Sequence, residues 1–70
     1  MTIKENNSPV AENVERIMKQ RGIKQSYVAA QAGLSSSALC DILKGRRLIK
    51  AGEVPRLAKA LNVSPNDLYA

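Results

Sequence analysis

The side chains with recognition chemistry crowd into one stretch, SSSALCDILK at residues 35–44, which runs on into Gly45, Arg46 and Arg47. A serine hydroxyl donates and accepts hydrogen bonds, whereas an ionised aspartate only accepts. Ser36, Ser37 and Asp41 can therefore read the polar edges of an opposing surface. Lys24, Lys44, Arg46, Arg47 and Lys50 flank them in sequence, with Gln25 beside the first, and cations so grouped favour an anionic partner. Catalysis has less to draw on. The 70 residues include no histidine and no glycine-rich phosphate loop, so Ser36, Asp41 and Lys44 lack the usual activating partner. Cys40 is the only cysteine, which excludes a disulfide or a Cys/His zinc site within one chain. The chain is thus read as a non-enzyme with no catalytic residue, no metal site, no cofactor and no small-molecule substrate, and Cys40 as a small packing residue.

Charge is distributed unevenly around the net value of +5. Residues 16–50 hold eight bases against Asp41 alone, while the remainder holds three bases and five acids. Such clustering is the electrostatic footprint of a polyanion-binding face, although a solvated basic surface has the same composition. No apolar run approaches the roughly 20 residues needed to cross a bilayer, and MTIKENNSPV lacks the apolar core of a signal peptide. A cytoplasmic protein with no membrane partner is expected.

These side chains need elements to hold them. Residues 1–7 have no periodicity and read as a flexible N-terminal arm; residues 8–70 read as one domain. Ser8-Pro9 has the form of a helix start, with Ser8 accepting from an early N–H and Pro9 in the first position. Val10, Val14, Ile17 and Met18 then recur on one face, and Gly22 ends the helix. A second helix over about Gln25–Ala32 buries Val28, Ala29 and Ala32. After Gly33, Ser35 caps a third helix that runs to Lys44, with Leu39, Ile42 and Leu43 inward and Ser37, Asp41 and Lys44 outward. The loop GRRLIKAG offers Leu48 and Ile49 as apolar anchors. Pro55 is tolerated only in a first turn, so the fourth helix spans about Glu53–Leu61. Ser64, Pro65 and Asp67 repeat the capping pattern, and Leu68 and Tyr69 are expected to fold back on the core. Five short helices without a strand signal make a compact all-α domain.

The second and third helices, QSYVAAQA and SSSALCDILK joined by Gly33-Leu34, have the spacing of a helix-turn-helix, although a generic helical hairpin shares it. Here the chain resembles the Cro and lambdoid repressor class of helix-turn-helix regulators. The matching features are Val14-x-x-Ile17, Gly22-Ile23-Lys24-Gln25, Val28-Ala29, Gly33-Leu34-Ser35, Leu39-x-x-Ile42, Gly45 and EVPRLAKALNVSPNDLY, from about Val14 to Tyr69. The resemblance implies a lambda-repressor-like fold whose third helix enters the major groove of double-stranded DNA. It implies that Ser36, Ser37 and Asp41 read bases. Lys24, Gln25, Lys44, Arg46, Arg47 and Lys50 fall where the family contacts phosphates. In two places the chain departs from the family. Members often carry an arginine at the position of Met18 and a glutamate at that of Leu43; here both are apolar, so these side chains are expected to touch. The reading helix also lacks the long side chains that make bidentate base contacts, which leaves Asp41 to accept from cytosine, to pair with Lys44 or to meet a basic protein.

Two functions follow from this reading. The first is a sequence-specific transcriptional regulator of phage or mobile-element type, a homodimer on a two-fold operator. The alternative is a protein-binding helix-turn-helix module: an antirepressor or modulator whose partner is a repressor, or an antitoxin-like protein.

Overall fold

The structure, a computed structural model, describes residues 6–70. From Val10 onward there are five helices in the order α1 (Val10–Arg21), α2 (Gln25–Gln31), α3 (Ser36–Leu43), α4 (Glu53–Leu61) and α5 (Pro65–Tyr69), and the described residues include no strand. On α4 the residues Val54, Leu57, Ala58 and Leu61 follow helical periodicity and are all buried. This stripe makes α4 the central element, packed against α1, α2 and α5. Helix α1 lays Val10, Val14, Ile17 and Met18 on the same core, α2 adds Val28 and Ala29, α3 adds Leu39, and α5 adds Leu68. Ile42 is buried as well, and Leu43 is half-buried against the core.

Four helices end by one device. In each, an N–H just past the end returns to the carbonyl five residues earlier: Ile23 to Met18 at 2.9 Å, Leu34 to Ala29 at 2.8 Å, Arg46 to Asp41 at 2.7 Å and Val63 to Ala58 at 3.0 Å. The preceding residue is left-handed in every case, namely Gly22, Gly33, Gly45 and Asn62. Such caps satisfy the last carbonyls and turn the chain sharply. The glycines read as helix ends in the sequence thus end helices here.

The starts were less uniform. Ser35 caps α3 as expected, its Oγ accepting from the Ala38 N–H at 3.0 Å. At α5 the Asp67 carboxylate accepts from the Ser64 N–H at 3.0 Å, the reciprocal half of a capping box. Ser8 behaves differently. Its hydroxyl donates to the Glu12 carboxylate at 2.7 and 2.8 Å, and α1 begins at Val10 with Pro9 as the capping residue. Asn6 and Asn7 are themselves helical, so the chain enters α1 through a tight turn instead of the extended serine an N-cap requires.

Other departures lie at the edges. Of the expected arm, residues 1–5 fall outside the described residues, and Asn7 is buried in the folded body with 2% of its surface exposed. Tyr69 is 57% exposed and Leu48 50% exposed; only Leu68 and Ile49 of those two expected apolar pairs pack inward. A five-residue helix has one inward face, and Leu68 occupies it. Two side chains whose distant partners the sequence does not mark tie the helices together. Asn13 Nδ2 donates to the Leu68 carbonyl at 2.8 Å and to that of Ala70 at 3.1 Å, and Arg21 Nη1 donates to the Leu61 carbonyl at 2.8 Å.

Candidate nucleic-acid interface

The α2-turn-α3 unit is held from both sides. Val28 and Ala29 are buried beneath α2, Leu39 and Ile42 beneath α3, and Gly33 makes the turn between them. The Arg56 guanidinium of α4 lies along that turn: a Cβ added to Gly33 would stand 3.9 Å from Arg56 Nη1. With Leu39 and Ile42 inward, Ser36 and Ser37 are exposed at the leading end of α3 and Asp41 is partly exposed one turn later. These short side chains allow a flat partner to come close to the helix.

The cations sort into two groups. Arg16 donates to Gln20 and Asn13, Lys19 lies 3.2 Å from Glu15, and Arg21 is engaged at the end of α4. Of these only Arg21 ties two helices together; Arg16 and Lys19 are exposed and pair with neighbours on α1 itself. Lys24, Lys44 and Lys50 are exposed and make no ion pair among the described residues. Lys24 precedes α2, Lys44 closes α3 and Lys50 stands in the following loop. Gln25 begins α2, whose start carries no side-chain cap.

Arg46 and Arg47 diverge although adjacent. Arg46 Nη1 approaches Asp41 Oδ1 at 3.8 Å, a loose pair of exposed groups, so Asp41 is matched with Arg46 and not with Lys44. Arg47 grips Glu53 with both terminal nitrogens, Nη1 to Oε1 at 3.1 Å and Nη2 to Oε2 at 2.8 Å. The Glu53 carboxylate also accepts from the Lys50 N–H at 2.9 Å. The hydrogen bonds from Arg47 hold the Glu53 carboxyl below its ordinary value, with burial working against them, and the same bonds raise Arg47. The phosphate contact expected of Arg47 therefore competes with a bidentate partner already in place.

Met18 and Leu43, expected to meet, line one groove of about 530 Å³ between α1 and α3. Cys40 and Ile23 form other parts of its wall, and Gln25 and Lys44 reach its rim. Both are apolar walls of that groove, so the two positions that often carry an arginine and a glutamate in the resembled family bear no charge here. Asn7 and Glu53 were missed as parts of the site. Nothing in their spacing marks them; only a polar residue amid apolar periodicity, Glu53 beside Val54 and Pro55, gave any signal.

The sequence profile of the helix-turn-helix family matches residues 14–68. The restriction-modification controller protein C.AhdI from Aeromonas hydrophila, known from a high-resolution crystal structure, has a similar fold. The TM-score is 0.79 at 23% identity, over 86% of this chain and 91% of that one. A sequence comparison with curated proteins returned no match. No helix among the described residues is long and apolar enough to cross a membrane.

Proposed function

The chain belongs to the helix-turn-helix family of DNA-binding transcription regulators, and from that premise we propose that α3 is its recognition helix, reading an operator from the major groove. Ser36, Ser37 and Asp41 face base edges, while Lys24, Gln25, Lys44, Arg46 and Lys50 contact backbone phosphates. Phosphate contacts supply most of the affinity and base contacts the selectivity. The observation that carries this reading is the two-sidedness of α3: Leu39 and Ile42 are buried, while Ser36 and Ser37 are exposed, as are Lys44 at its end and Lys24 before α2.

The protein acts as a homodimer on a two-fold operator in genes of phage or mobile-element type. Two recognition helices about 34 Å apart meet successive turns of the major groove. Selection from a random duplex library tests the reading. The expected product is a two-fold motif, bound with an affinity that falls steeply with salt, the slope being roughly −0.9 for each phosphate neutralised. A library that shows no enrichment, together with altered operator binding by a co-encoded repressor, would assign the chain to the protein-binding alternative.

A further inference from the structure

Only two polar residues among the described ones are buried, Asn7 at 2% exposure and Glu53 at 6%. They come from distant parts of the chain, yet both serve the same loop. Asn7 Nδ2 donates to the carbonyls of Arg47 at 2.8 Å and Ile42 at 3.3 Å, and Asn7 Oδ1 accepts from the Ile49 N–H at 2.9 Å. Glu53 holds the Lys50 N–H and, through Arg47, the middle of the loop. The backbone between α3 and α4 is therefore tied at residues 47, 49 and 50 by two side chains outside it. Burying a polar side chain is costly unless its hydrogen bonds are satisfied, and here each is satisfied by the loop. The loop carries Arg46 and Lys50 and follows Lys44 directly.

We infer that Asn7 and Glu53, with Arg47 as the strut between Glu53 and the loop, are positioning residues that preset the cation-bearing 44–50 segment for a DNA backbone. This rests on the DNA-binding reading above. Arg47 acts within the protein and is not itself a phosphate ligand. Asn7, which precedes α1, thereby contributes to DNA affinity without touching DNA. Without the ties, Lys44, Arg46 and Lys50 keep their charge, but the loop must be ordered on binding, which weakens affinity.

The inference is tested with the full chain and a random-sequence duplex of about 20 base pairs, whose binding reports phosphate contacts alone. Asn7→Ala is expected to lower affinity roughly tenfold, the cost of ordering about one residue, with an unchanged salt slope. The charge-neutral double variant Arg47→Met/Glu53→Leu is expected to behave alike. Lys50→Ala, by contrast, should flatten the slope by about 0.9. Wild-type affinity in Asn7→Ala would overturn the inference, and so would a slope flattened by about 0.9 in the double variant, which would make Arg47 a phosphate ligand. Amide exchange supplies a readout independent of DNA: Asn7→Ala should speed exchange at Ile49 while Leu57 stays protected. Asn7→Ser serves the same comparison if the alanine variant does not fold. If the wild type binds no duplex at low salt, the DNA reading fails, and unchanged Ile49 exchange in either variant then decides against the brace as well.

Discussion

Glu53 shows how much one side chain can be asked to do. It opens α4, where a negative charge suits the helix dipole, it accepts from the Lys50 N–H, and it receives both arms of Arg47. Because the folded protein holds this carboxyl below its ordinary value of 4.5, the unfolded chain takes up the proton first as pH falls. The contribution of Glu53 is therefore complete above the ordinary carboxylate range and is lost as pH drops through the depressed folded value. Urea midpoints measured between about pH 7 and pH 3 should fall more steeply for the wild type than for Glu53→Gln, which starts lower at neutral pH. Parallel curves for the two proteins would remove Glu53 from this role. None of this was legible in Glu53 as a letter. In the sequence it was one of six acids, and its partner Arg47 looked like a free cation.

Elements, by contrast, were largely legible. The limits expected for α4 coincide with those observed, and Ser35 and Asp67 cap the helices they were expected to cap. Local rules suffice there because a cap, a proline or a left-handed glycine acts within one turn of chain. Gly33 is a case in point: its φ of +72° is strained for any residue with a Cβ, yet a Cβ there would meet only Arg56 Nη1 at 3.9 Å. Gly33→Ala should therefore cost about 1–2 kcal/mol from backbone strain alone. Gly22→Ala is the control, with φ +64° and nothing within 4 Å of the added carbon. Equal losses by chemical denaturation are expected, and a much larger loss at Gly33 would mean that packing of the turn, not its torsion, is limiting. Ser8 marks where local reading failed, because Asn6 and Asn7 are helical and the Ser8 hydroxyl donates to Glu12 instead of accepting from a helix N–H.

The whole molecule is held by a core so small that single residues weigh heavily. Leu39 is fully buried on the reading helix, whereas Leu48, in the following loop, is half exposed. Leu39→Ala is expected to cost about 2–5 kcal/mol, and Leu48→Ala no more than about 0.5 kcal/mol. Denaturation of the two variants checks this, and comparable losses would show that the loop carries more of the core than its exposure implies. At this scale the sequence was legible in its apolar stripes, since Val14, Leu39, Leu57 and Leu61 recur at helical spacing and are all buried. The reach of long side chains was not. Arg21 runs to the end of α4 and Asn13 to the end of α5, contacts between residues 40 to 57 positions apart that no periodicity encodes.

From the sequence alone come the all-α class, the helix limits to within a residue or two, the helix-turn-helix and the inward and outward sides of α3. These depend on backbone propensity, capping and apolar periodicity, all of which act over a few residues. Tertiary structure decided which charges face outward. Eight bases in one stretch looked equivalent until folding brought Glu53 to Arg47 and the Leu61 carbonyl to Arg21. It also turned Asn7 from part of an arm into a tie on the loop. The physical reason is that a hydrogen bond or ion pair is decided by distance in space, and for long polar side chains that distance is set only when the helices have packed.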